Sequence, residues 1–211
     1  MARTLRAMEP TRPRGRRPAG SDTRGAILAA ARAEFAERGF QAASMRSVAR
    51  RAGVDPALVR HYFPDRTELF AVSVLPPAAN PLEVAGRVVT DGLPGVGERL
   101  LSEVLTVWAP DDGEGFRAAF GLLAGEVERP RALVAYLGRT IFEHIGRLLA
   151  PDEAALRVGL MTSQVAGLLF VRFVIRAEPV ASMPIPELAA LVGPTIDRYL
   201  SAPIADLPRH A

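Results

Sequence analysis

The residues at 44–63, SMRSVARRAGVDPALVRHYF, have the types and spacing needed to bind a nucleic acid. Ser44 can cap a short helix, and Gly53 ends that helix where a left-handed turn residue is needed. Asp55 can cap a second helix, with Pro56 in the first turn, where proline fits well. Two short helices joined by a glycine turn predict a helix-turn-helix, whose second helix can enter a DNA major groove.

The distribution of arginine supports a polyanionic partner for the front of the chain. The 211 residues carry a formal net charge of +3, and all 26 basic residues are arginine. Residues 1–75 contain 14 arginines and 7 acidic residues, whereas the remainder contains 12 arginines and 16 acidic residues. Because the basic part coincides with the helix-turn-helix, we interpret it as a DNA-binding half rather than as random surface charge.

The composition argues against metal binding and catalysis. There is no cysteine, which excludes disulfides and thiolate metal sites. The three histidines, His61, His144 and His210, are far apart in sequence, so a metal site is not expected. The glycine-rich run at 92–97 follows no strand and is interpreted as a turn, and no nucleophile motif appears. We therefore expect no cofactor and no enzymatic activity.

Nothing in the sequence predicts export or a membrane span. The N-terminus lacks the apolar segment that a signal peptide needs. The most apolar run, 158–177, contains Gln164, Arg172 and Arg176, which favours a buried helix over a lipid-facing one. We expect a cytoplasmic protein that makes no membrane contact.

Prolines and glycines divide the chain into four segments. Residues 1–20 are arginine-rich without apolar periodicity, and are predicted to be a disordered basic arm that lies along DNA or a solubilising tail. Residues 21–77 form the helix-turn-helix domain, 78–203 a second helical domain and 204–211 a tail. No alternating strand pattern appears, so the fold is predicted to be all-α. Beyond residue 77 the predicted helices are 82–91, 95–108, 114–127, 130–149, 152–177 and 186–201.

Caps and breakers set the helix boundaries of the first domain. Ser21 is predicted to cap the first helix, and Gly39 to end it. Pro64 is predicted to open the helix that follows the helix-turn-helix. The prolines at 76 and 77 end that helix and place the domain boundary near residue 77.

Residues 23–70 together resemble the TetR family of bacterial transcriptional regulators. The resemblance rests on E-F-A-E-R-G-F ending the first helix, Ser44 opening the second, A-G-V before the third and F-P-D-R-T-E-L after it. The rest of the chain is similar to the family in size, helicity and order. The resemblance implies an N-terminal three-helix DNA-binding domain and a C-terminal helical domain for ligand binding and dimerisation.

The function implied by the resemblance is that of a ligand-responsive dimeric repressor. Its paired helices 55–61 would bind a palindromic operator in double-stranded DNA, with half-sites about 34–36 Å apart. Effector binding would favour a conformation that no longer matches this spacing, with helix 64–75 as the lever. The alternative is a small-molecule-binding or interaction protein of the same fold without operator binding; an enzyme is a more distant alternative.

The resemblance also assigns candidate DNA contacts. Ser44, Arg46 and Arg66 occupy positions at which family members contact phosphate. Arg60 stands where the family usually carries tyrosine, and can grip a phosphate or a guanine. Tyr62 stands where the family often carries histidine, and is either a phosphate contact or a partly buried aromatic residue.

Within the helix at 55–61, the side chains divide between the core and DNA. Leu58 and Val54 are predicted to face the first two helices. The side chains left for DNA are Asp55, Pro56, Ala57, Arg60 and His61. Pro56 or Ala57 could contact a thymine methyl group.

For the second domain, the resemblance implies a mostly apolar pocket for an unknown apolar small-molecule effector. The candidate wall residues are Trp108, Phe116, Phe120, Tyr136, Phe142, Met161 and Gln164. Each aromatic residue has an alternative role in the core. The Gln164 amide lies in an otherwise apolar helix and needs a partner, which the ligand or the other subunit could supply.

A homodimer is predicted to form through helices 130–149 and 152–177. Gly159, Ala166 and Gly167 would permit close approach of two helices there. The final helix, 186–201, could contribute instead.

Overall fold

The computed structural model describes residues 22–76, 80–145 and 154–203, with side chains left undescribed at 81–82 and 141–145. The predicted arm at 1–20 and tail at 204–211 lie outside the described residues. The described residues form ten α-helices and no strand, which confirms the all-α prediction. The helices are α1 Thr23–Ala42, α2 Met45–Ala52, α3 Pro56–Tyr62, α4 Arg66–Val74, α5 Pro81–Val88, α6 Val96–Trp108, α7 Pro110–Leu123, α8 Glu128–Ile145, α9 Ala154–Leu169 and α10 Ile185–Ser201.

Aspartate side chains cap three of the first four helices. Asp22 Oδ1 accepts a hydrogen bond from the Gly25 N–H at 2.7 Å, so the described cap of α1 is Asp22, while Ser21 lies outside the described residues. Asp65 Oδ1 accepts from the Glu68 N–H at 2.8 Å. The helix α4 therefore begins after Asp65 and not at Pro64, because the aspartate carboxylate satisfies a free N–H of the first turn.

The two predicted glycine breaks differ in outcome. Gly53 adopts φ 66° and ψ 36° and ends α2, as predicted. Gly39 adopts φ 78° and ψ 169°, but helical structure resumes after it and α1 extends to Ala42. Gly39 therefore kinks the end of α1 instead of ending the helix.

The first four helices share an aromatic core. The Phe35 ring centroid lies 5.0 Å from that of Phe70, and the Phe40 centroid lies 5.2 Å from that of Phe70. All three rings are buried, and α4 packs on both α1 and α8. The buried residues form one hydrophobic cluster that extends from α1 to α10. The helix α4 thus connects the helix-turn-helix to the rest of the fold.

The helices α6 and α10 cross at unusually close range because each has a glycine at the crossing. A Cβ atom at Gly193 would lie 2.6 Å from the Glu98 nitrogen, and one at Gly97 would lie 2.2 Å from the Gly193 oxygen. Asp197 of α10 also caps α6, accepting from the N–H groups of Gly95 at 2.9 Å and Gly97 at 2.7 Å. The helices α6 and α10 are therefore held together by close backbone packing and by these two hydrogen bonds.

The helix α9 continues into a π-helical segment, Phe170–Ile175. By length and composition alone, Ala154–Ile175 could cross a membrane. Its Val158, Met161 and Phe173 side chains are instead buried against the other helices. Part of this apolar run therefore belongs to the core of the fold.

Candidate nucleic-acid interface and effector cavity

The helix α3 is seated on the core by Val59 and not by Leu58. The Val59 side chain is 0% exposed, and Phe63, which follows α3, is also buried. Val54 packs partly buried against the core, as predicted, while Leu58 is only half-buried and lies outside the core cluster. The prediction for Leu58 was wrong by one residue, because a seven-residue helix has too few turns to define its inward face from sequence.

The opposite side of α3 is open. Six of the residues predicted to contact DNA are exposed at its start, along its outer face and at its end, namely Asp55, Pro56, Ala57, Arg60, His61 and Tyr62. The His61 and Tyr62 rings pack edge to face with centroids 5.4 Å apart. Tyr62 is 38% exposed. Its side chain is therefore accessible at the surface of the helix-turn-helix.

Three arginines on the helix-turn-helix have guanidinium groups without a partner in the described part of the chain. Arg46, Arg50 and Arg60 are exposed, and none forms an ion pair or side-chain hydrogen bond with any residue that the structure describes. Arg50 was missed from sequence, although its position four residues after Arg46 places both on one side of α2. An arginine without a protein partner is available for phosphate or base edges.

Arg51, next to Arg50, is occupied by contacts within the protein. Its Nε lies 3.0 Å from Glu34 Oε2, and its Nη1 donates to Glu37 Oε1 at 2.7 Å. The hydrogen bond from Arg51 lowers the pKa of Glu37 below its ordinary 4.5, and the same bond raises the pKa of Arg51. Arg51 therefore joins α2 to α1.

Two residues predicted to contact phosphate also have partners within the protein. Ser44 Oγ accepts from the Ser47 N–H at 3.1 Å, while Ser47 Oγ accepts from the Ser44 N–H at 3.0 Å. Arg66 Nη1 donates to the carbonyl oxygens of Gln41 at 3.0 Å and Ala43 at 3.3 Å. These bonds shape the start of α2, so the two residues position the helix-turn-helix whatever else they contact.

Arg24, at the start of α1, is a further cation beside this surface. Its guanidinium carbon lies 5.5 Å from the centroid of the Phe63 ring, next to the end of α3. The residue is exposed. Its role could not be read from sequence, since only folding brings α1 and the end of α3 together.

A cavity of about 480 Å³ lies among α4 to α9 and the π-helical segment. Four of the predicted wall residues, Trp108, Phe116, Phe120 and Met161, line it. The Trp108 and Phe116 centroids are 5.2 Å apart. Phe142 lies in α8, but its side chain is among those left undescribed.

The remaining two predicted wall residues do not line the cavity. Tyr136 is buried where α8 meets α4, with a hydrogen bond to Thr140. Burial, followed by the nearby charge of Glu68, raises the pKa of Tyr136. Gln164 is half-buried and absent from the wall, because on α9 it lies beyond the edge of the stripe that Met161, Val165 and Leu169 form. Both predictions are therefore corrected.

The cavity reaches the end of α4, which the sequence did not indicate. Val74 and Leu75 line it. Arg32 of α1 holds this same end, with Nε donating to the Ser73 oxygen at 2.8 Å and Nη2 to the Leu75 oxygen at 3.4 Å. A cavity wall is thus hydrogen-bonded directly to the helix-turn-helix half.

An exposed basic helix-turn-helix joined through one helix to a domain with an apolar cavity defines a DNA-binding transcriptional regulator. The chain belongs to the TetR family of bacterial regulatory proteins. Residues 27–72 match the family model "Bacterial regulatory proteins, tetR family", and residues 95–200 match "Tetracyclin repressor-like, C-terminal domain". Members of this family are in general soluble transcription factors without enzymatic activity.

One solved structure supports this assignment, and another is similar at lower identity. A TetR-family regulator from Streptomyces coelicolor A3 is 33% identical, with 89% of this chain and 99% of that chain covered and a TM-score of 0.60. NalD of Pseudomonas aeruginosa, the secondary repressor of the MexAB-OprM multidrug efflux pump, is 22% identical over 84% of this chain and 96% of that chain, with a TM-score of 0.46. No curated protein matches the chain.

Proposed function

We propose that this regulator is a cytoplasmic, ligand-responsive dimeric repressor that binds a palindromic operator through α3. The observation that carries the proposal is the open face of α3, together with the exposed guanidinium groups of Arg46, Arg50 and Arg60, which have no partner among the described residues. Exposed arginines on a helix-turn-helix whose second helix has an open face are suited to reading DNA.

The contacts divide by chemistry. Arg60 lies on α3 and is the candidate for bidentate recognition of guanine, while Pro56 and Ala57 offer apolar surface to a thymine methyl group. Arg46 and Arg50 on α2 are candidates for phosphate contact. Ser44 and Arg66 would contribute mainly by positioning α2 and α4, since their polar atoms already have partners.

The dimer is proposed to form through α9 and α10. Leu156 on α9 is 53% exposed and Leu191 on α10 is 63% exposed. Cβ atoms at Gly159 and Gly167 would meet nothing within 4 Å, so a partner helix could approach closely there. The helix α8, which the sequence paired with α9, packs against α4, α5 and α9 within the chain, and its part in the dimer stays a prediction.

The switch is proposed to act through α4. An occupant of the cavity would press on Val74 and Leu75, and α4 is packed on α1 through the aromatic core. A small displacement of α4 would change the separation of the two α3 helices in a dimer. That change weakens operator binding only if the occupant favours one conformation over the other.

The test is selection of binding sites from random double-stranded DNA with the full-length protein. An inverted repeat with half-sites about one helical turn apart is expected. The variant R60A should recover a repeat with relaxed preference at one position in each half-site. If the protein is a folded dimer and no sequence is enriched, operator binding is contradicted. That result would favour the alternative of a small-molecule-binding protein that does not bind an operator.

A further inference from the structure

The described wall of the cavity has almost no polar groups. Among the described residues, 24 line it, and none of their side chains is ionisable. The hydroxyl of Thr162 and the indole N–H of Trp108 are the hydrogen-bonding groups that these side chains provide. An ion placed against such a wall would lose its hydration without gaining a charged partner.

One part of the cavity wall is aromatic and another part is aliphatic. The end of α6, α7 and the π-helical segment contribute aromatic rings, with the Phe120 and Phe170 centroids 5.0 Å apart. The helix α5 and the rest of α6 contribute branched aliphatic side chains such as Val88 and Val104. Such a wall suits fused rings or branched hydrocarbons, which gain dispersion and apolar burial from both kinds of surface.

Resting on the proposed function, we infer that the effector is an uncharged lipophilic molecule with at most one or two hydrogen-bonding groups, one of them directed at Thr162. A site for cations would need a carboxylate in the wall, and a site for anions would need an arginine or a cluster of N–H donors. The described wall has neither, so it discriminates against both signs of charge.

The primary test uses three probes that share one hydrocarbon and differ in charge: 1-pyrenemethanol, 1-pyrenecarboxylate and (1-pyrenylmethyl)trimethylammonium. Trp108 is the single tryptophan of the chain and lines the cavity, so energy transfer from it reports occupancy directly. The neutral probe should bind at least about 100-fold more tightly than either ion. The same three head groups on a decyl chain extend the test to a flexible ligand.

The location of binding is tested with a matched pair on α7. Ala119 is buried and lines the cavity, whereas its neighbour Ala118 is exposed and lies outside the wall. A119F should fill the cavity and abolish binding of the neutral probe, while A118F should leave it unchanged. Circular dichroism and the thermal midpoint establish that both variants fold.

The charge argument is tested with a second pair, which does not depend on A119F folding. Val134 is 53% exposed at the rim of the cavity, and Val127 is 62% exposed but does not line it. V134E should raise affinity for the cationic probe about tenfold and lower it for the anionic probe. V127E should change neither affinity.

The inference is overturned if either ion binds as tightly as the neutral probe, if neutral binding survives A119F, or if none of the six probes binds below its solubility limit. These measurements contain no DNA, so they are separate from the operator selection. If the protein selects an operator but does not prefer the neutral probes, the proposed function stands and the inference about the effector is wrong.

Discussion

In the proposed function, Arg60 is the candidate residue for reading bases of the operator. R60A should weaken specific operator binding by about 1–3 kcal/mol, roughly 5- to 150-fold, because one bidentate base contact is lost. R46A should instead weaken binding to all sequences and lower the slope of log affinity against log salt by about 1. Fluorescence anisotropy with operator and scrambled duplexes distinguishes the two. If R60A has the same base preference as the parent, Arg60 does not recognise a base.

The ion pair between Glu37 and Arg51 predicts a pH dependence of stability. The pKa of Glu37 is lowered by Arg51, so the pair stabilises the fold above the ordinary value of 4.5 and is lost as pH falls below it. E37Q should therefore have a lower thermal midpoint than the parent at pH 7, and the two should converge by about pH 3.

The control for this titration is E114Q, which replaces an exposed glutamate outside the ion pairs of the described residues. Its difference from the parent should be small and similar at both pH values. A difference for E37Q that persists at low pH would contradict the assigned role of the carboxylate.

At the scale of elements, Val59 determines how α3 is seated. V59A should destabilise the protein by about 2–3 kcal/mol, because it removes two buried methyl groups and leaves a cavity. L58A, on the same helix but half-buried, should cost less than about 1 kcal/mol. Urea unfolding at equal protein concentration measures both. If L58A destabilises the protein more than V59A, Leu58 faces the core, as the sequence predicted.

The helix α4 links recognition to the cavity through contacts that sequence alone did not reveal. Its start was predicted at Pro64, within two residues of the observed start at Arg66. Its last residues line the cavity, and Arg32 of α1 binds their carbonyl oxygens. The hydrogen bonds from Arg32 join residues about 40 positions apart in the chain, and no local sequence pattern encodes them.

At the scale of the whole molecule, operator binding depends on the proposed dimer. L191D should yield a monomer by light scattering, because it places a carboxylate in an apolar contact. Its operator affinity should fall by about 100-fold or more, since a monomer engages one half-site at a time. V127D, equally exposed and part of neither α9 nor α10, should remain a dimer. A dimeric L191D would exclude this part of α10 from the interface.

The sequence by itself determined the features that depend on local chemistry. Capping residues, the left-handed position of Gly53 and the apolar helical spacing indicated an all-α chain with a helix-turn-helix, and the arginine excess indicated its partner. These signals lie within a few residues of one another, so they can be read without knowing which elements meet.

Tertiary structure alone decided which of those residues are available. Arg50 and Arg51 are neighbours of the same type, yet Arg51 is held by Glu34 and Glu37 while Arg50 has no partner among the described residues. In the same way Tyr136 packs at a helix junction while Leu75 lines the cavity. The partner of a side chain depends on which helices pack together, and that is set by burial summed over the whole fold.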